Sequence, residues 1–551
     1  MKTSRRLFLE LAVPAAGAIT LSHAGAVQQT GTHADEQGST ASGIEGQRRA
    51  DLGNGKYLNP VLPGDHPDPN VLKDGDDYYL SYSSFDYYPG IVIWHSRDLV
   101  NWKPIGPALK TNIGSIWALD LVKHDGRYFI YIPTFRAPTS LADNTNFAGA
   151  SSPFRIYVIH APDMRGPWSE PIDMDIPGYI DPGHIVGEDG QRYLFLNDGH
   201  RVRIAADGLR RAGSVEKVYD GWKYPEDWIV EGFALEGPKL LRRGDWFYMF
   251  SGEGGTAGPP TSHMVVVARA RSINGPWENC PHNPIVHTGS PDELWMSRGH
   301  ATPVEGPHGD WWMLYHGYES GFRTLGRQSL LEPFEWTADG WPLARGGDAD
   351  QPMRKPVASA SGEGSGQAFS EEFRHDRLGT LLAFYQPQAG YLKRAQFDEG
   401  SLLFAGQGSG PGDSSPLAMV TGDHSYEVTI EFELRGQAQG GLLLFYNSNL
   451  FCGLGCDGKV LRNYKLGSEL RFPPGPSTSS VHLHMRALNL NNVVSFFWSD
   501  DGVRWTKANS YEVSGYNHNV GDGFLSLRPA LFASGVGDVL FRKLSYRAIR
   551  S

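Results

Sequence analysis

Three carboxylates sit in segments that restrict their movement. They are Asp68 in His66-Pro67-Asp68-Pro69, Asp181 in Ile180-Asp181-Pro182-Gly183, and Glu236 in Leu235-Glu236-Gly237-Pro238. Prolines on both sides of Asp68 fix its backbone and aim its side chain one way. Glu236 heads the apolar run that continues through Lys239-Leu240-Leu241. Burial there raises a carboxyl pKa, as a general acid near neutral pH requires, and a nearby aspartate raises it further. An acid, a base and a charge that tunes them are what hydrolysis of a glycosidic bond needs. Asp68 and Asp181 also have a plainer reading, as turn aspartates capping local N–H groups.

Groups this far apart in sequence need a repeating scaffold to meet. A turn glycine followed by an aromatic strand recurs five times, at Gly75, Gly126, Gly190, Gly244 and Gly309. The copies include Gly126-Arg127-Tyr128-Phe129-Ile130-Tyr131 and Gly309-Asp310-Trp311-Trp312-Met313-Leu314-Tyr315. Their spacing of roughly 51–65 residues suits a four-stranded propeller blade. A second turn, closed by Trp102, Trp168 or Trp277, echoes between them. The fold class expected is all-β: a five-bladed β-propeller followed by a two-sheet β-sandwich. The second part rests on clean alternation, with Tyr426, Val428, Ile430, Phe432 and Leu434 on one face and Glu427, Thr429, Glu431 and Glu433 on the other.

Composition agrees. The chain has 551 residues, with 67 Gly and 37 Pro for turns, and 26 Phe, 24 Tyr and 15 Trp that suit sugar-binding surfaces. A net charge of −11 argues against a nucleic-acid partner. Residues 1–26 read as a twin-arginine-type signal peptide, with Arg5-Arg6, an apolar stretch too short to span a membrane, and Ala24-Gly25-Ala26 as a cleavage site. Export to the periplasm or the exterior is the expectation, and no later run is long enough to cross a membrane. Residues 27–55 read as a disordered linker, 56–350 as the propeller, 351–368 as a second linker and 369–551 as a concanavalin-like sandwich. Cys452 and Cys456 could close a short disulfide or be two small core residues.

The ordered motifs resemble those of glycoside hydrolase family 43. They run from Asn59-Pro60-Val61-Leu62 and His66-Pro67-Asp68-Pro69 through His95-Ser96-Arg97-Asp98-Leu99-Val100-Asn101-Trp102 and Ile116-Trp117-Ala118. They continue through Asp181-Pro182, Glu236-Gly237-Pro238, Arg298-Gly299-His300-Ala301 and Leu325-Gly326-Arg327. In the sandwich, Asp500-Asp501-Gly502-Val503-Arg504-Trp505 and Arg528-Pro529-Ala530 are similar to the family's β-xylosidases. The resemblance implies an inverting mechanism on an oligosaccharide, releasing terminal xylose or arabinofuranose. It implies Asp68 as general base, Glu236 as general acid and Asp181 as the group that raises the Glu236 pKa. Phe85 and Trp117 could stack on a sugar or pack the blades. Arg327 could bind sugar hydroxyls or form a structural salt bridge. His300 could line the channel, holding a water or a Ca²⁺ ion as in some relatives, or be a satisfied core histidine. No cofactor is expected to be required.

Two departures bear on sugar preference. The family often has Trp-Ala-Pro where this chain has Trp117-Ala118-Leu119-Asp120, and Gly-Arg-Glu-Thr where it has Gly326-Arg327-Gln328-Ser329. Other functions fit the residues less well. A retaining fructan-active propeller is disfavoured because Leu99 follows Arg97-Asp98 and no cysteine follows a glutamate. A non-catalytic carbohydrate-binding propeller is disfavoured because all three carboxylates are present. An endo-acting arabinanase-like hydrolase is the remaining alternative.

Overall fold

Each of the five turn glycines takes a positive φ and closes a hairpin between the first two strands of a blade. That conformation is open to glycine at little steric cost, which is why the turn and the aromatic strand recur together. The computed structural model describes residues 43–136, 152–345, 347–362, 365–472 and 475–550. The signal-peptide reading of 1–26 and the first part of the 27–55 linker lie outside these residues. All the described residues belong to one compact unit, Thr40–Ser551.

The propeller has five antiparallel sheets. Blade I is Asn70–Asp74, Asp77–Ser81, Gly90–Ser96 and Lys103–Leu109. The innermost strands of the other blades are Asp120–His124, Gly183–Val186, Glu236–Arg243 and Trp295–Glu305. Apolar layers fill the gaps between blades. Phe129, Tyr131 and Val158 of blade II meet Leu194 and Val202 of blade III, and Tyr248 and Val267 of blade IV meet Met313 and Leu330 of blade V. Around the axis, polar groups link the inner strands. Asn70 donates to Asp120, Lys239 donates to Asp120 and to the carbonyls of Leu119 and Pro182, and Thr302 donates to the Pro69 carbonyl.

In the sandwich, Ser425–Asn447 and Arg528–Ala548 pair along their length. The first half of Ser425–Asn447 also pairs with His482–Leu490, and the second half with Leu450–Cys456. One pair of long strands therefore runs through both layers. The expected alternation holds: Tyr426, Val428, Ile430, Phe432 and Leu434 are buried. Cys452 and Cys456 are both buried and free. They lie four residues apart on one extended strand, about 13 Å at 3.3 Å per residue, which is too far for a disulfide.

The two expected linkers are packed where they are described, and this corrects the reading from composition. Residues 43–55 include a buried ion pair from Asp51 to Lys355 at 2.8 Å. Arg48 reaches Glu319 of blade V at 2.9 Å and donates to the Gly422 carbonyl of the sandwich. In 351–368, Met353–Arg354 pairs with Lys56–Tyr57, and Gly366 N–H donates to the Trp102 carbonyl. Glycine and serine content signalled solvation, but Arg48, Asp51 and Lys355 find partners hundreds of residues away. The two domains also share backbone pairing: Tyr87–Tyr88, between the second and third strands of blade I, pairs with Ala383–Tyr385 of the sandwich sheet. No helix among the described residues is long and apolar enough to cross a membrane.

Candidate active site

Four of the expected site residues hold a left-handed backbone: Asp68 (φ 55°), Phe85 (φ 47°), Asp181 (φ 56°) and His300 (φ 61°). Such conformations cost on the order of 1–3 kcal/mol each and persist where the surroundings dictate them. Two of them meet directly, with His300 Nδ1 3.6 Å from Asp68 Oδ1.

Asp68 is buried and heavily bonded. Its Oδ1 accepts from Arg327 Nη1 at 2.8 Å, and its Oδ2 accepts from the Ser83 hydroxyl. His316 Nδ1 lies 3.0 Å and His300 Nδ1 3.6 Å from Oδ1. Burial alone would raise this carboxyl. The Arg327 guanidinium outweighs burial and holds it well below the ordinary carboxylate range. Asp68 is therefore held as an anion near neutral pH, as a water-activating base must be.

Glu236 has the opposite environment. It opens the inner strand of blade IV, and 23% of its side chain is exposed. Burial, then the charges of Asp181 and Asp68, push it well above its usual value. Asp181, burdened by burial and by the Asp68 charge, is pushed up to about 7. Asp181 and Glu236 titrate together. The Gly237 N–H donates to Asp181 Oδ2 at 3.0 Å and favours ionisation of Asp181. The proton of the pair then resides on Glu236, which is the state of a general acid. Asp181→Asn removes the neighbouring negative charge, so the Glu236 pKa should fall. With Glu236 as the acid, activity falls as pH rises through its pKa. The basic limb of the kcat/KM profile should therefore move to lower pH, and an unmoved limb would count against the coupling.

Beneath the carboxylates lie His263, His300 and His316. His263 and His316 stack with ring centroids 5.2 Å apart, and His300 and His316 stand 5.9 Å apart. Burial keeps all three neutral, with His300 at about 3 and His316 at about 4. Gly237 has no side chain because the His300 ring would lie 2.6 Å from a Cβ there. Glu236, His263 and His300 each bring a potential ligand atom within 4.8 Å of the others. Two buried ring nitrogens, His263 Nε2 and His300 Nε2, have no hydrogen-bond partner among the described residues. Calcium takes six to eight oxygen ligands. Two imidazoles and a single carboxyl do not match that set.

Phe85, Trp117 and Arg327 come together as one wall. The Arg327 guanidinium lies 5.6 Å from the Phe85 ring centre, and Phe85 meets Trp117 edge-on at 6.4 Å. The wall also contains a ring from the sandwich. Phe524 stacks on Phe85 at 6.3 Å, meets Trp117 at 6.0 Å and lies 5.2 Å from the Arg327 guanidinium. His518 stacks behind it at 4.1 Å.

Both sequence departures serve structure. Leu119, where the family often has proline, is fully buried, and its carbonyl accepts from Lys239 Nζ at 2.8 Å. Gln328 points away from Arg327, donating to Glu319 and accepting from Arg48 and the Gly64 N–H. Sequence reasoning missed Ser83, His263, His316, Lys239, His518 and Phe524. Lys239 and His316 carried a signal, as polar residues inside apolar strand runs; Phe524 carried none.

The family model for glycosyl hydrolases family 43 matches residues 57–342. The chain belongs to that family. It is 33% identical over 305 residues to a non-reducing end α-L-arabinofuranosidase of Bacteroides ovatus, covering 52% of this chain and 53% of that protein. It is 31% identical over 322 residues to a xylan 1,3-β-xylosidase of a Vibrio species, covering 52% and 56%. The chain spans about half the length of these curated relatives. Among solved structures, the family 43 protein BlXynB of Bacillus licheniformis superposes with a TM-score of 0.77 at 25% identity, covering 90% of this chain and all of that one.

Proposed function

We propose that the chain is an exo-acting, inverting glycoside hydrolase that releases xylose or arabinofuranose from the non-reducing ends of plant cell-wall oligosaccharides. The observation that carries the reading is the opposed electrostatics of two carboxyls. Arg327 holds Asp68 ionised, while burial and Asp181 keep Glu236 protonated. A base and an acid reaching the same site, with the His300 ring near both, suit direct attack by water. Arg327, Phe85 and Trp117 supply a charged and aromatic wall for the terminal sugar. No cofactor enters the scheme. The twin-arginine-type leader fits export toward a polymeric substrate outside the cytoplasm.

The exo mode rests on the sandwich. Phe524 and His518 lie against the Phe85–Arg327 wall and narrow that side of the site. A narrowed pocket admits one chain end. Phe524→Ala should raise KM on short oligosaccharides by ~10-fold, the worth of about 1.4 kcal/mol of lost contact, with a smaller change in kcat. Steady-state kinetics on xylobiose and its arabinofuranosyl counterpart measure this.

The test of the whole reading is early product analysis by NMR. A monosaccharide of inverted anomeric configuration as the first product is expected. A retained anomer would sink the mechanism, and mixed oligomers with rapid viscosity loss on arabinan or xylan would sink the exo mode.

A further inference from the structure

Far from the active site, the outer face of the sandwich gathers a second set of ligand-type side chains. Glu431 lies on Ser425–Asn447, and His484 stands directly opposite it on His482–Leu490. His482 is two residues before His484 and so projects from the same face. His482 Nε2 is 3.0 Å from Glu431 Oε1, and the two imidazole rings are 5.4 Å apart. One ligand atom from each of the three residues lies within 4.8 Å of the other two.

An ordinary surface ion pair accounts for His482 and Glu431. It does not account for His484, whose ring nitrogens have no hydrogen-bond partner among the described residues although the residue is half-buried. Its ring is held from behind by Trp505 at 6.5 Å, and Trp505 is capped by the Arg486 guanidinium at 3.9 Å. Gly502 leaves space beside it, since a Cβ there would come within 3.0 Å of the ring.

We propose that Glu431, His482 and His484 form a binding site for a divalent transition-metal ion of the zinc type, clamping the two strands together. Two imidazoles and one carboxylate suit zinc, nickel or copper and not the all-oxygen preference of calcium or magnesium. Bonds of about 2.1 Å in a tetrahedral site need ligand atoms about 3.4 Å apart, which small side-chain rotations on these strands supply. Water completes the coordination on the exposed side. Lys543 lies opposite Glu431 on the other flanking strand and opposes any loosely held cation. Bonds to two imidazoles, and not net charge, are what hold the ion.

The test is zinc binding to the full chain by equilibrium dialysis, with thermal unfolding in parallel. Glu236→Gln serves as the background, because it removes a ligand from the other His–Glu cluster. One zinc equivalent should bind in that background and raise the melting temperature; magnesium should do neither. Adding His482→Ala and His484→Gln should weaken that zinc at least ~10-fold and abolish the thermal shift. Because His482 is half-exposed, His482→Ala alone serves as the variant if the triple variant misfolds, with the same loss expected. Zinc bound equally well after these changes, or no zinc bound by the Glu236→Gln chain, overturns the proposal.

Discussion

Asp68→Asn should lower turnover on a terminal xyloside or arabinofuranoside by ~10²–10⁴, the scale of one acid–base group. Asparagine keeps the shape and tolerates the left-handed backbone at φ 55°. It cannot accept a proton from water, and it loses the negative charge that Arg327 meets at 2.8 Å. The loss should appear in kcat for good and poor leaving groups alike, because water must be activated in either case. KM should change less, since the walls of the pocket stay in place. Asp68→Gly offers a second arm. Glycine accepts this φ without strain and vacates the carboxylate volume. Azide added to that variant should restore turnover on an activated glycoside and give the inverted glycosyl azide. Near-wild-type turnover by the folded Asn variant would remove Asp68 from the role of base.

The scaffold was legible in the sequence because its signal is local. A turn glycine and the aromatic strand after it lie within a few residues, and the pair recurs five times. The carboxylates were legible for a similar reason, since proline or glycine neighbours betray a fixed backbone. What surrounds them was not. Arg327 reaches Asp68 across 259 positions, and Arg528 of the sandwich reaches Asp65 across 463. Phe524 sits in an unremarkable loop and acquires meaning only when the sandwich lies against blade I. Residues 43–55 and 351–368 misled for the converse reason. Their glycine and serine content describes local propensity, while Asp51 and Lys355 are fixed by one distant buried contact.

Glu236→Ala should separate leaving groups. A general acid lowers the barrier by protonating the departing oxygen, so its value depends on how poorly that oxygen leaves. On natural oligosaccharides, whose leaving alcohols are weak acids, a loss of ~10²–10⁴ in kcat/KM is expected. On an aryl glycoside with an acidic phenol the loss should be far smaller. The same variant should lose the basic limb of the pH profile, because the group whose deprotonation causes it is gone. The acidic limb belongs to Asp68, which Arg327 holds low, and should stay where it is. Equal losses on both substrate classes would mean that Glu236 positions the sugar and does not protonate it. Asp181, buried beside it, would be the next candidate for the acid. The contact from the Gly237 N–H argues against that, because a donor aimed at Asp181 Oδ2 stabilises the ionised form. The leaving-group dependence of the two variants, measured side by side, therefore assigns the proton to one carboxyl of the pair.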